Sequence, residues 1–455
     1  MALMRARLST TILVLVLCVF TFGRGLETKS ADPYFEKFQP VAAPKPGKLL
    51  LKKGDRLAIC GDSITEQKMY SRIIENYLTM CVPELEVTAR QYGWSGERAP
   101  GFLARMTNDC LRFKPTIATT CYGMNDHEYR AYEDRIGRTY REKSTAIVQA
   151  FKAHGARVIH GSPGCVGKMP GWVKTAQGTV EDLNLNLCSL RNIGIEIAQK
   201  EKAGFADVFW PMLAAGREGQ QRYGTNFFIA GTDGVHPDWA GQTVMAYAFL
   251  KSFGLDGEIG RFTVDLKRNK MTASRGHEVV SAVAGEFTVR SSRYPFCSCI
   301  EAGMDNSGIK PAYPSCDDKK GSKTASIRAA LALIQFDREL NRFMLVAKSG
   351  KARNYRVTWG GEGKTFSAEQ LRRGINLVEE FHANPFNEAF ARVDAAVAAK
   401  QAYETKQIKQ IFHGSEGKAD MESAVVKTER EREPLASAIQ DAFVPVTHTI
   451  KIVAE

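Results

Sequence analysis

Four short segments carry the serine, glycine, asparagine, aspartate and histidine from which acyl transfer can be assembled: "GDSIT" at 61–65, "GWSGE" at 93–97, "GMND" at 123–126 and "GTDGVHPD" at 231–238. That chemistry needs a hydroxyl nucleophile, an imidazole to take its proton, a carboxylate to orient the imidazole, and donors for the oxyanion. Ser63 supplies the hydroxyl and His236 the imidazole. Asp233 precedes His236 by three residues, a spacing that in a turn or a first helical turn brings carboxylate and ring together and leaves the second ring nitrogen to face Ser63. The oxyanion donors are the backbone N–H of Ser63, the backbone N–H of Gly96, where a missing Cβ permits close approach, and the side-chain amide of Asn125. Each such donor is worth about 3 to 4 kcal/mol in a transition state. The set calls on no metal and no cofactor, and none is expected.

Singly, each residue has a plain structural reading: Ser63 as a turn or helix-capping serine, Gly96 as a turn glycine, Asn125 as a cap or Asx turn. Their order decides between the readings. The first three segments each follow an apolar, β-prone run and the last precedes a helix, so all four converge on one edge of a sheet. Trp94, beside Gly96, offers a face for a sugar ring or packs into its loop. His127 and Tyr129 in "NDHEYR" line the pocket or form a helix start.

The elements that must position these residues alternate. "RLAICGDS" is a strand and "YSRIIENYLTMC" a helix, with Ile73, Ile74, Tyr77 and Leu78 at helical spacing. "LEVTARQYG" and "PTIATTCYGMND" are strands, each followed by a helical stretch, and "ARVIHGSPG" and "FADVFW" flank a third. "PDWAGQTVMAYAFLKSFG" is the last helix of this half, with Pro237 suited to its start. Alternation of this kind predicts an α/β fold, a parallel sheet covered by helices on both faces, with its ligand site beyond the carboxyl ends of the strands.

The blocks "GDSIT", "GWSGE", "YGMND" and "DGVHP" resemble those of the SGNH, or GDSL-type, hydrolases over roughly residues 55–254. That resemblance implies a three-layer α/β/α flavodoxin-like fold, an esterase, Ser63 as nucleophile, Gly96 and Asn125 in the oxyanion hole, and His236 as base with Asp233 behind it. Many members place Asn five residues before the block-two glycine, where this chain has the longer Gln91. The C-terminal stretch from "TFSAEQLRRGINLVEEF" onward is similar to the tails of larger secreted members from Planctomycetes and Verrucomicrobia, themselves similar to carbohydrate esterases. The substrate so implied is an acylated carbohydrate, acetyl most of all; small or lipid esters, and a noncatalytic carbohydrate-binding role for the β-rich part, are the alternatives.

After residue 256 short alternating stretches broken by Gly and Asn predict a β-rich module, with "RFMLVAKSGKARNYRVTWGGEGKTF" as a hairpin. Helical patterns follow, and the chain closes on the strand-like "THTIKIVAE". The expected division is a leader at 1–25, a Pro/Lys-rich lead at 26–54, the hydrolase domain at 55–255, the β-rich module at 256–365 and a helical region at 366–455.

The leader has Arg5 and Arg7 before an apolar stretch of about Thr11 to Phe22, then Gly23 and Gly25. It reads as a secretory signal cut near Gly25, being shorter than the roughly 20 residues a spanning helix needs. A secreted or periplasmic protein with no stable membrane insertion follows. With Cys18 removed, an odd number of the ten cysteines remains, so at least one is unpaired or pairs between chains. Cys60 and Cys121 read as small buried hydrophobes. Cys297, Cys299 and Cys316 sit in a Gly/Pro/Asp-rich loop where a disulfide can staple the chain; zinc is the rival reading there. The formal net charge of +12 drops by three when Arg5, Arg7 and Arg24 leave. It suits attraction to acidic polymers or simple solubility, and no interleaving of basic and aromatic residues points to nucleic acid.

Overall fold

The apolar run behind "GDSIT" forms β1 (Arg56–Gly61), buried from Leu57 onward. It lies inside a parallel sheet with β2 (Thr88–Gln91), β3 (Ile117–Cys121), β4 (Arg157–Gly161) and β5 (Gly204–Ala206), in the order β2-β1-β3-β4-β5. The computed structural model describes residues 25–300, 311–317 and 321–455; nearly all of the expected leader, Cys18 included, lies outside them. Helices Tyr70–Met80 and Trp239–Ser252 cover one face of the sheet through Ile73, Ile74, Tyr77, Val244 and Phe249. Ala99–Asp109, Asp134–Ala153 and Val180–Glu201 cover the other through Phe102, Met106, Val148, Phe151 and Leu190. This is the expected three-layer α/β architecture. Its topological switch point falls between β1 and β3, the strands that lead to Ser63 and Asn125. A further helix, Phe209–Tyr223, follows β5 where only the strand was expected. The lead wraps onto this domain, with Phe35 and Phe38 against Trp210.

The β-rich part is two sheets. One has the order β13-β10-β6-β7, from β6 (Glu258–Asp265), β7 (Lys270–Ala273), β10 (Arg342–Lys348) and β13 (Ile375–Asn376). The other has the order β12-β11-β14-β9-β8, from β8 (His277–Val283), β9 (Glu286–Ser291), β11 (Asn354–Trp359), β12 (Glu362–Ser367) and β14 (Val446–Ala454). The expected hairpin is corrected here: β11 and β12 pair across Gly360-Gly361, whereas β10 leaves for the other sheet and runs parallel to β6. The strand-like close of the chain forms β14, which lies between β11 and β9. Phe343 on β10 stacks on Trp359 of β11 at 5.6 Å, joining the two sheets.

A buried polar chain threads these sheets. The Trp359 indole N–H donates to His448 Nδ1 (3.1 Å), which leaves the His448 proton on Nε2 for Ser291 Oγ (2.9 Å). The Ser291 hydroxyl donates to His277 Nδ1 (2.8 Å), and His277 Nε2–H to the Ile259 carbonyl (2.9 Å). These tautomers follow from the one direction in which every donor finds an acceptor. Burial holds His277 down to about 4 and His448, which also faces His277, to about 3. An unfolded histidine titrates near 6.5, so the unfolded chain binds more protons below that pH and the neutral pair stabilises the fold only above it. The buried carboxyls Asp62, Asp126 and Asp337, all raised, act with the opposite sign. Comparison with a variant therefore isolates the histidine contribution: thermal unfolding of His448→Gln should show a smaller loss of Tm between pH 6.5 and 4 than the parent.

Helix Asn387–Lys406 leads through a π-helical turn, Gln407–Phe412, and packs with Met421–Ala442 against the α/β domain. Asp394, on the buried face of the first of these helices, accepts a two-pronged bond from Arg72 and another from Asn76 Nδ2 (2.7 Å). Removing one partner of a buried pair strands the other charge. Asp394→Ala should cost about 3 to 5 kcal/mol in urea unfolding, and Arg72→Met with Asp394→Leu together distinctly less.

Candidate active site

Ser63 opens a single-turn helix, Ser63–Glu66, capped by Asp62, whose Oδ1 accepts the Ile64 N–H at 3.0 Å. Residues in the first turn have no carbonyl within the helix to bond, which leaves the Ser63 N–H available at the strand's exit. His236 Nε2 stands 2.8 Å from Ser63 Oγ, and His236 Nδ1 2.7 Å from Asp233 Oδ2. The turn itself builds the Asp233 pairing: Asp233 Oδ1 accepts the N–H groups of Val235 (2.9 Å) and His236 (2.8 Å). Partial burial pushes the Asp233 carboxyl up, but those two N–H groups and the ring together hold it below the usual range. It is an anion wherever the ring needs orienting. Pro237 precedes the following helix and Asp238 is its cap, accepting from Trp239 N–H at 2.8 Å.

Gly96 lies exposed in the loop after β2 with φ +72°, and a Cβ there would meet nothing within 4 Å. That left-handed backbone is one that residues with a side chain rarely adopt. Asn125 is turned toward the same edge by its amide bonds: Nδ2 donates to the Glu97 carbonyl (3.1 Å) and Oδ1 accepts from Tyr129 OH (3.0 Å), which leaves one Nδ2 proton for a ligand. Asp126 ties the third block to the second, accepting the N–H of Ala99 (3.0 Å) on one oxygen and of Gly123 (3.0 Å) on the other. Burial pushes its carboxyl up to about 6. Gln91 does reach the loop: its Oε1 accepts the Gly93 N–H at 2.9 Å, and its amide donates to Thr405 in the C-terminal arm.

The proposed contact residues divide. Trp94 packs into the loop, its ring edge against His413 (4.9 Å) with Arg105 and Lys409 over it (5.1 and 5.3 Å). His127 is corrected from a pocket-lining position, because its ring is fully buried and offers a substrate no surface. Its Nε2 has no partner among the described residues, and burial lowers the ring to about 4. Tyr129 stands between His127 and Trp172, at 4.7 and 5.9 Å. Trp172 is the residue the sequence reading passed over: it lies 5.7 Å from the His236 ring and is 45% exposed. The signal was its place in "MPGWVK", a Pro/Gly loop following β4 and hence at the same sheet edge.

Cys60 and Cys121 are buried, and Cys299 and Cys316 form a disulfide beside the buried thiol of Cys297. Bonded to each other, those two leave no thiolate pair for zinc. Among the described residues no group of three or more His, Cys, Asp or Glu could hold a metal ion, and no helix is long and apolar enough to cross a membrane.

A parallel sheet with this constellation at its switch point defines a hydrolase acting on ester bonds. Residues 59–244 match the sequence profile of the GDSL-like Lipase/Acylhydrolase family. No curated protein matches the chain. Among solved structures, BT4096, a gut microbial diltiazem-metabolizing enzyme, aligns with a TM-score of 0.68 and 20% identity over 91% of this chain and 99% of its own. The similarity shows the same fold along nearly the whole chain. A mutant of Axe2, an acetylxylan esterase from Geobacillus stearothermophilus, aligns with a TM-score of 0.37 and 21% identity over 45% of this chain and 96% of its own. LAE5, an alpha/beta hydrolase enzyme from the metagenome of Lake Arreo, Spain, does so with 0.36 and 21% over 45% and 97%.

The Tyr129 hydroxyl fixes which way the Asn125 amide points. Tyr129→Phe should lower kcat for an aryl acetate roughly 3- to 10-fold with little change in KM, against about 10²–10³-fold for Asn125→Ala. Steady-state kinetics on the two variants checks the order.

Proposed function

We propose that this protein is a secreted or periplasmic serine esterase that removes acyl groups, acetyl above all, from carbohydrate. One observation carries the mechanism: His236 bridges Ser63 and Asp233 at 2.8 and 2.7 Å. In this reading Ser63 Oγ attacks the ester carbonyl while His236 Nε2 takes its proton, and Asp233 stabilises the imidazolium that forms. The oxyanion rests against the N–H groups of Ser63 and Gly96 and the Asn125 amide. His236 returns the proton to the departing alcohol, then activates water to release the acid from the acyl-enzyme.

The half-exposed Trp172 ring beside His236 supports a sugar-bearing alcohol, since an aromatic face buries the apolar side of a pyranose while leaving its hydroxyls in water. The expected leader supports export, and the likeness of the C-terminal stretch to larger secreted members from Planctomycetes and Verrucomicrobia belongs to the same proposal.

Acetate release from acetylated polysaccharides and from aryl acetates, measured for the parent and Ser63→Ala, tests both parts. Ser63→Ala should lose about 10⁴-fold or more in kcat. Equal rates in the two proteins would overturn the mechanism. Turnover of aryl esters alone would overturn the carbohydrate assignment, whereas Trp172→Ala raising KM for the polysaccharide and not for the aryl ester would support it.

A further inference from the structure

The loop that presents Gly96 is gripped from outside the catalytic domain. Glu66, on the same helical turn as Ser63, accepts both the N–H (2.5 Å) and the hydroxyl (2.7 Å) of Ser95 on Oε2. Lys409, 343 residues further along the chain in the π-helical turn, donates to Glu66 Oε1 (2.8 Å) and Oε2 (2.9 Å). At its other end the loop is held by Gln91, which links the Gly93 N–H to Thr405. Gly93 itself sits so close to the Ser63–Glu66 turn that a Cβ would come within 2.2 Å of Glu66 N. Nucleophile turn, oxyanion loop and C-terminal arm thus meet on one carboxylate. π-helical turns are rare and recur at functional sites.

We propose that Lys409 is a positioning residue of the active site, which through Glu66 and Ser95 sets where the Gly96 N–H stands relative to Ser63. The proposal rests on the esterase reading above. Its physical basis is the charge on Glu66. A carboxylate with a paired ammonium accepts two bonds from Ser95 more strongly than a neutral carboxyl does. Partial burial pushes the Glu66 carboxyl up, and Lys409 and Ser95 bring it below its usual range. The other charge facing it is Lys68, whose ammonium donates to the Glu66 carbonyl at 2.6 Å rather than to the carboxylate. Without Lys409, Glu66 takes up a proton at higher pH and loosens its hold on Ser95.

The experiment uses the full chain and an aryl acetate across pH, with the parent, Ser63→Ala, Lys409→Met, Lys409→Arg and Glu66→Gln. Lys409→Met should lower kcat about 10-fold, below the 10²–10³-fold cost of losing an oxyanion donor outright. Its KM should stay within about twofold, and the ratio of its kcat to the parent's should fall further toward acid pH, where an unpaired Glu66 takes up a proton and the paired one does not. Lys409→Arg should restore most of the rate. Glu66→Gln should lower kcat by a ratio to the parent that shows no such added fall, because the amide does not titrate. A Lys409→Met enzyme with parental kcat and pH profile overturns the proposal, as does Lys409→Arg being as impaired as Lys409→Met. If Lys409→Met fails to fold, parental kcat in Glu66→Gln overturns it. Failure of the esterase reading is separate: it appears as equal rates in the parent and Ser63→Ala, whatever Lys409 does.

Discussion

The edge of the parallel sheet imposes the constraint on which the rest of the molecule depends. β2 bonds to β1 on one side only, and its other side would leave backbone groups unpaired beneath the C-terminal arm. Side chains take the place of a neighbouring strand: Lys400 Nζ donates to the Ala89 carbonyl (2.5 Å), and Glu404 Oε2 accepts the Gln91 N–H (3.1 Å). Both side chains are almost wholly buried, a situation tolerable only when charge is balanced in place. Glu75 contacts Lys400 at 2.9 Å, and Glu404 contacts Lys400 at 3.0 Å and Arg432 at 2.7 Å. Burial pushes both carboxyls up; in Glu404 the cations Lys400, Arg432 and Arg90 outweigh it, and in Glu75 they do not. The edge is therefore closed to further strands by a charged lock rather than by an apolar cover.

That lock fixes the arm in register with the catalytic loop. Once Lys400 and Glu404 are placed on Ala89 and Gln91, Thr405 falls beside the Gln91 amide and Lys409 beside Glu66. One helical segment thereby closes a sheet edge at its middle and braces the loop of Gly96 at its end. The β-rich sheets are tied into the same assembly, since β14 follows the arm and pairs with β9 and β11.

Much of this was legible in the sequence, for a physical reason. Asp233 and His236 are three residues apart, and Ser63, Gly96 and Asn125 each follow a strand, so local order and sheet topology suffice to gather them. Long-range pairing leaves no such trace. β10 has the composition of a hairpin partner for β11, yet it pairs with β6 across a sequence gap that periodicity does not record. Helix Phe209–Tyr223 was hidden by Pro211, Gly216 and Gly219, residues that weaken a helical pattern although packing sustains it. Asp394, Lys400 and Glu404 are charged residues on a helical stretch, and nothing in the local pattern records that all three are buried. Trp172 lies in a loop whose composition is that of any turn.

The two sides of the proposed site differ in what holds them. On one side a single turn does the work: Asp233 binds two N–H groups of its own loop with one oxygen and the His236 ring with the other, so carboxylate and imidazole stay together through contacts within four residues. On the other side Gly96 sits in a four-residue turn closed by the Glu97 N–H on the Trp94 carbonyl (3.2 Å), and the glycine's missing side chain permits the left-handed backbone that this turn adopts. The turn shapes the loop but does not place it. Its position against the Ser63 turn comes from contacts distant in sequence: the Trp94 N–H on the Gly61 carbonyl (3.1 Å), Ser95 on Glu66, and through Glu66 the C-terminal arm, which gives that arm a reason to be part of a hydrolase whose family match ends at residue 244.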